Sequence, residues 1–205
     1  MQYPVNLVLD GRRCLVVGGG KIALRKVEGL LACGGRVTVV APRVDQELRS
    51  LVVTIEERPW RPEDLDGMWL AIAATDDPAV NGAVYAEGQR RGVWVNGADD
   101  PANCSFTLPS VVRRGDLQVT VSTGGRSPAL ASWLRRRLER EIGPEYETLL
   151  DLLATEREGL KAAGLSTEGL DWRSALDSDM LDLIRTGDLV HARERLQTCL
   201  SSSSD

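Results

Sequence analysis

Apolar residues in the first hundred positions cluster in short continuous runs, and glycine-rich or polar stretches separate them. Cys14–Val17, Val37–Val40, Met68–Ala74 and Val93–Asn96 read as strands buried on both faces, the pattern of a parallel sheet covered by helices. Between the first two, Ile22, Val27, Leu30 and Leu31 fall on one face of a helix spanning Ile22–Cys33, which Gly34-Gly35 stops. Ala79–Arg90 reads as a second helix, with Asp76 or Asp77 as its cap, Pro78 at its first position and Gly92 as its stop. Shorter pieces complete this half. They are an opening strand in Met1–Asp10, a turn at Asp10-Gly11-Arg12, a short helix in Gln46–Leu51, a strand in Val52–Glu56 and one helical turn after Trp60.

The pattern changes after Asp99. Ser110–Arg114 leads to a Gly115-Asp116 turn, and Leu117–Ser122 alternates apolar with polar residues, as a half-exposed antiparallel strand does. Ser127 is a good cap and Pro128 a good first residue for a helix over Ala129–Ile142, which Gly143-Pro144 ends. From Tyr146 to Leu200 the leucine spacing is helical, giving about three helices. The expected architecture is α/β, with a parallel sheet over residues 1–112, a small α+β region over 113–145, a helical domain over 146–200 and a disordered polar tail over 201–205. The exposed face of Leu117–Ser122 invites pairing with a second copy, so a homodimer is expected; folding back onto the parallel sheet is the alternative.

Strand, glycines, helix and second strand within a single βαβ unit are the context in which Gly18, Gly20 and Ala23 become the dinucleotide fingerprint of a Rossmann-type domain. Gly18 would make the tight turn, Gly20 would admit a pyrophosphate, and Ala23 would let helix and strand pack closely. In an open sheet of this kind ligands bind beyond the carboxyl ends of the strands, so Gly18-Gly20, Pro42-Arg43, Ala74-Thr75 and Asn96-Gly97 should line one crevice. No acidic residue closes the second strand; Arg43 stands there, with Asp45 and Glu47 only later. The spacing leaves NAD and NADP both open.

Charge and composition narrow the partners. A formal charge of −5 and a sequence pI of about 5.1 point away from nucleic acid. No apolar run is long enough for a membrane span. The N-terminus carries no signal-like segment, and Cys14, Cys33, Cys104 and Cys199 are scattered without metal-ligand or disulfide spacing. A reduced cytoplasmic protein is expected, with no resident metal. The single histidine, His191, lies in the helical tail and reads as a surface residue, which leaves carboxylates as the proton carriers. Asp99, just past a strand's carboxyl end, could exchange a proton while a nicotinamide takes a hydride, or Asp99-Asp100-Pro101 could be only a capped turn. Thr123-Gly124-Gly125-Arg126-Ser127 is a candidate anion nest at a helix start, with Arg126 adding a full charge. Arg113-Arg114 and Arg135-Arg136-Arg137 make basic patches, read either as polycarboxylate contacts or as helix faces paired with Glu139 and Glu141.

The segments GGGKIALRK, TVVAP, AIAATDDPAVN and VNGADDPANCSFTLPSVVRRGDLQVTVSTGGRSPALA, in that order, resemble the precorrin-2 dehydrogenase / sirohydrochlorin ferrochelatase family, the first module of sirohaem synthase and its stand-alone relatives. The resemblance implies NAD-dependent oxidation of precorrin-2 to sirohydrochlorin in a homodimer. In some members insertion of Fe2+ into sirohydrochlorin follows, and Co2+ is a further candidate for that step. It places cofactor contacts on Lys21, Ile22, Pro42 and Arg43, beside Gly18, Gly20, Thr75 and Asn96 from the crevice argument. The acid–base aspartate falls on Asp99; the nest and the basic patch, read for a substrate with many carboxylates, make Arg113, Thr123, Gly124, Gly125, Arg126 and Ser127 the candidate substrate contacts. Where the family has a serine that can be phosphorylated this chain has Thr123, and where it usually has valines before the aspartate this chain has Gly97-Ala98. The alternative is a non-catalytic, NAD-sensing or tetrapyrrole-carrying dimer.

Overall fold

The computed structural model describes residues 2–201. Five parallel strands form one sheet in the order β3-β2-β1-β4-β5: β1 is Arg13–Val17, β2 Arg36–Val40, β3 Thr54–Glu56, β4 Leu70–Ala73 and β5 Trp94–Gly97. The chain moves outward from β1 to β3, then returns to lay β4 on the other side of β1. The strand order therefore reverses between β1 and β4, which makes their carboxyl ends the topological switch point.

Successive residues of each strand feed opposite cores. Cys14 and Val16 of β1, with Leu70 and Ile72 of β4, pack against Ala23, Val27 and Leu30 of α1 (Lys21–Leu31). Leu15 and Val17, with Ala71 and Ala73, face Val84 of α3 (Pro78–Arg91) and Leu65. That alternation explains why the strands read as unbroken apolar runs. Asp77 caps α3 by accepting from the Ala79 N–H at 2.8 Å, and Gly92 ends it in the left-handed conformation. The link from β2 to β3 holds one short helix, α2 (Gln46–Arg49).

The second unit begins at Pro109. In it, β6 (Ser110–Arg114) and β7 (Leu117–Val121) form an antiparallel two-stranded sheet of their own, followed by α4 (Pro128–Glu141), α5 (Glu145–Ala162), α6 (Trp172–Leu176), α7 (Met180–Arg185) and α8 (Leu189–Ser201). Leu149, Leu152, Ala175, Met180, Ile184, Ala192, Leu196 and Leu200 are the buried heart of the helical part. No helix among the described residues is long and apolar enough to cross a membrane.

Several expectations need correction. Residues 2–10 form no strand: Pro4 has no N–H to donate, and Leu7 and Leu9 reach the core from an extended segment at no sheet edge. Met1 lies outside the described residues. The third strand starts at Thr54, because Val52 is 93% exposed and has no core to face. The contacts divide the chain after Leu108 rather than at 112/113, since that boundary would cut β6 away from its partner β7. The hairpin and the helical part share this one unit, and the helical part holds four helices, α5 to α8. Ser201 is the last residue of α8; the rest of the expected tail lies outside the described residues.

Gly88 gives a test of how α3 seats on the sheet. Alanine is the better helix former by about 1 kcal/mol. Here, however, its Cβ would overlap Cγ2 of the buried, branched Val95 and stand 3.1 Å from the Val93 carbonyl oxygen. Overpacking of this kind costs about 1–3 kcal/mol and outweighs the propensity gain. Gly88→Ala is expected to lower stability in urea unfolding; a variant as stable as the parent would mean that α3 can lift off Val95 freely.

Candidate functional site

A crevice of about 570 Å3 opens at the switch point, lined by Gly18, Gly19, Gly20, Lys21, Ile22, Ala41, Pro42, Arg43, Asp45, Ala74, Thr75 and Asp76. The ends of β1, β2 and β4 meet there because Val17 is level with both Val40 and Ala73 in the parallel register. Gly18 has φ +131°, donates to the Val40 carbonyl at 3.0 Å, and lies so near the Ala74 carbonyl oxygen that a Cβ would overlap it. Gly19 is equally constrained: a Cβ would overlap the Arg43 carbonyl oxygen, and its own carbonyl accepts from the Asp45 N–H at 2.8 Å. Gly20 differs, since a Cβ on it meets nothing within 4 Å. Its bare face is turned to open space rather than to the protein, as close approach of a ligand requires.

Gly20 also begins α1, which has neither a side-chain cap nor an acidic residue in its first turn. The leading N–H groups and the positive end of the helix dipole are thus available to an anion. Glycine cradle, uncapped helix end and crevice together fit a dinucleotide pyrophosphate, with Lys21 and Ile22 on the first turn. Arg43 and Asp45 put one charge of each sign along the same wall. Asp45 was not among the expected contacts. It stands at the start of α2 without capping it, which leaves its carboxylate uncommitted to the helix.

Thr75 is held from behind. The buried Asn81 accepts from the Thr75 N–H at 3.2 Å and from its hydroxyl at 2.8 Å, and returns a bond from Nδ2 to the Thr75 carbonyl at 2.9 Å. A buried amide on the sheet-facing side of a helix is the sequence signal of such a clamp. Asn96 does not join the crevice. It is buried outside the lining residues, and its Nδ2 donates to the Phe106 carbonyl at 2.9 Å, which gives it a structural task.

Asp99 follows β5 on an exposed turn, and its neighbour Ala98 is tied to the Ala73 carbonyl at 2.8 Å, beside the crevice-lining Ala74. Asp99 has φ +59° and is the only non-glycine with positive φ among the described residues. Its carboxylate makes no hydrogen bond or ion pair among the described residues, whereas Asp100 accepts from Asn103 Nδ2 at 2.6 Å. The two carboxylates therefore part company: Asp100 serves the turn, and Asp99 is exposed without a hydrogen-bond partner among the described residues. Half-buried Lys26 is pushed below the ordinary lysine range, by burial first, while the negative charge of Asp99 works against that shift.

In the second unit, Thr123 and Ser127 lace the strand-to-helix loop. Thr123 Oγ1 accepts from the Ser127 N–H and donates to the Ser127 carbonyl, both at 3.1 Å. The Gly124 N–H goes to Ser122 Oγ at 3.3 Å and the Arg126 N–H to the Thr123 carbonyl at 3.1 Å. Ser127 Oγ caps α4 by accepting from Leu130 N–H at 3.2 Å. The expected nest of free backbone donors is thus largely filled by its own loop, and the exposed Arg126 side chain carries what charge the loop offers. Arg113 is exposed on β6. Arg135 and Arg137 pair with Glu139 and Glu141 at 2.6 and 3.2 Å along α4, the helix-face reading of that patch. His191 is exposed and bound to Asp188, at the start of α8.

A second cleft, of about 550 Å3, includes Arg13 and Arg36 at the starts of β1 and β2. It lies away from the carboxyl ends of β1 and β2, and its Arg58 is already bound to Asp64 at 2.6 Å.

Comparison with known proteins agrees with this geometry. Residues 5–110 match the NAD(P)-binding family model, and residues 114–141 match the model described as sirohaem biosynthesis protein central. A siroheme synthase of Nitrosomonas europaea is 38% identical over the whole chain, which covers 45% of that protein. One of Chromobacterium violaceum is 39% identical over 95% of the chain and 43% of its own length. The chain thus spans less than half the length of these relatives. The solved structure of SirC, a precorrin-2 dehydrogenase, superposes with a TM-score of 0.76 at 30% identity, over 97% of this chain and 98% of that one. An NAD(P)-binding unit of this build, the adjoining sirohaem central region and a likeness to SirC over nearly the full length of both chains place the protein in the precorrin-2 dehydrogenase family.

Proposed function

We propose that the chain oxidises precorrin-2 to sirohydrochlorin, within sirohaem formation, with NAD as the hydride acceptor and Asp99 as the general base. The observation that carries this reading is the uncommitted Asp99 carboxylate, on a left-handed turn next to the strand that lines the dinucleotide crevice.

Gly18 and Gly19 shape the cradle, and Gly20 with the Lys21 and Ile22 turn holds the pyrophosphate at the end of α1. Asp45 supplies the carboxylate that ribose hydroxyls need, which favours NAD; Pro42 and Arg43 flank the adenine side. Thr75, fixed by Asn81, borders the nicotinamide side. Bound NAD supplies the hydride acceptor. Oxidation removes two hydrogens from the substrate, one as hydride and one as a proton, and Asp99 takes the proton. The substrate carries many carboxylates, so the exposed guanidinium groups of Arg113 and Arg126 are its binding groups, with Thr123, Gly124, Gly125 and Ser127 shaping the loop that holds Arg126.

The working unit is a homodimer. Leu130 and Trp133 on α4 are 47% and 50% exposed, and no third strand joins the hairpin among the described residues. A second copy laid across this surface would cover both.

An anaerobic assay with precorrin-2 and NAD tests the activity: NADH and sirohydrochlorin should form together, and no NADH despite NAD binding would favour the sensor or carrier reading. Adding ferrous or cobaltous ion to the product, against a no-enzyme control, tests metal insertion, with the metal as substrate.

Asp99→Ala is expected to lower kcat by about 100- to 10,000-fold, the usual worth of a positioned acid–base group, with NAD affinity retained. Normal turnover would remove Asp99 from the mechanism. Gly20→Asp has room to fold, yet sets a negative charge where pyrophosphate must sit. Titration should show NAD binding weakened by about 10- to 100-fold without loss of melting temperature. Trp133→Glu should convert a dimeric mass in light scattering to a monomeric one, and a persistent dimer would place the interface elsewhere.

A further inference from the structure

Asp99 stands on a turn that the rest of its loop is built to hold. The Asp100 N–H donates to the Gly97 carbonyl at 3.3 Å, closing a four-residue turn in which Asp99 is third. Positive φ at that position alone is the type II pattern, whose third residue is ordinarily glycine. An aspartate there is disfavoured unless its surroundings over-determine the conformation. They do so at Cys104. Its thiol lies within reach of both carbonyls that bracket Asp99, Gly97 at 3.3 Å and Asp100 at 3.2 Å. Its sulfur accepts from Asn96 Nδ2 at 3.4 Å, and Asn96 and Cys104 form an isolated antiparallel bridge. The turn has no slack on the inner side either: a Cβ on Gly97 would stand 2.9 Å from the Asn103 carbonyl oxygen. Burial, the largest influence on Cys104, raises it above the ordinary thiol range, so the sulfur keeps the proton it donates.

We propose that Cys104 is a positioning residue for Asp99: its S–H, shared between the Gly97 and Asp100 carbonyls, locks the turn that presents the Asp99 carboxylate. It does not touch the substrate and acts through the backbone on either side of Asp99. The same contacts give Asn96 a purpose: it orients the sulfur from the strand below.

The activity readout rests on the dehydrogenase reading. With precorrin-2 and NAD, Cys104→Ala is expected to lower kcat by about 10- to 100-fold, the penalty of a displaced catalytic group, with KM for NAD nearly unchanged. Cys104→Ser keeps a donor and should recover most of that rate. Wild-type kcat in the alanine variant, or a serine variant no better than alanine, overturns the proposal. Should the alanine variant fail to fold, the thiol can be capped in the native protein. In a Cys33→Ser, Cys199→Ser background, methyl methanethiosulfonate is applied at raised pH until mass spectrometry shows one added methylthio group, which marks Cys104 because Cys14 is fully buried. Capping should then remove turnover while NAD still binds; undiminished turnover overturns the proposal. If the wild-type protein forms no NADH, it is the dehydrogenase reading that fails. Hydrogen exchange at the Asp100 amide then decides the clamp: faster exchange in the alanine or capped protein supports it, and unchanged exchange overturns it.

Discussion

The site depends on two places where backbone passes backbone with no room for a side chain. Gly18 crosses the Ala74 carbonyl and Gly19 crosses the Arg43 carbonyl, so the loop after β1 is wedged between the loops after β4 and β2. The wedge works because parallel pairing sets Val17 level with Val40 and Ala73, so all three loops emerge at the same height. Two hydrogen bonds, Gly18 N–H to Val40 and Asp45 N–H to Gly19, fasten the loop to the β2 side. A methyl group at either glycine would push strand ends apart and open the crevice wall. The same change at Gly20 would leave the wall intact and intrude only on what binds there. One glycine-rich stretch thus divides into two structural residues and one that serves the ligand.

Electrostatics at the helix starts follows the same division. Asp77, Ser127, Asp171 and Asp188 accept from backbone N–H groups in the first turns of α3, α4, α6 and α8, and α2, α5 and α7 carry Glu47, Glu145 with Glu147, and Asp182 in theirs. Among the described residues α1 is the one α-helix with neither. A helix end normally gains about 1 kcal/mol from a cap, and its omission at an end that lines the crevice leaves the first N–H groups and the positive end of the dipole open to an anion. An anion brought by a ligand would complete α1 as Asp77 completes α3.

Much of this was legible because it rests on local rules. Alternating burial on a two-sided sheet makes unbroken apolar runs, and cap, proline and glycine stops bound α3 and α4 closely even though α3 has little apolar patterning. What escaped the sequence depends on distant neighbours. Gly19 looks like a spacer until Arg43 is placed beside it. Asp45 lies too far along the chain to match the usual acidic position, yet the Gly19 bond turns its segment to the crevice. Asn96 sits at the right strand end for a ligand contact and is claimed instead by Phe106 and Cys104. Segment 2–10 has strand-like composition, but a strand needs an edge, and the edges of the sheet are β3 and β5. Thr123-Gly124-Gly125 has the composition of an anion nest, but the Ser122 hydroxyl takes the Gly124 N–H, the Thr123 hydroxyl takes the Ser127 N–H, and the Ser127 hydroxyl takes the Leu130 N–H of α4.

The second unit is unevenly built, and that bears on what it must meet. Its helical part has a contiguous core drawn from α5 to α8, while β6, β7 and α4 together bury only Val112 and Ala131. A lone two-stranded sheet is marginal in water, and a helix of fourteen residues that buries one alanine gains little from packing. Surface pairs such as Arg135–Glu139 add only tenths of a kcal/mol each. Covering one half-exposed leucine or tryptophan adds about 1 kcal/mol or more on the usual area scale, so the apolar face holding Leu130 and Trp133 outweighs all the charge pairing on α4. The loop bearing Arg126 is anchored at one end to that hairpin and at the other to that helix. Covering the face would therefore also stiffen the loop, so that in the proposed dimer assembly and substrate binding would be tied through packing rather than through charge.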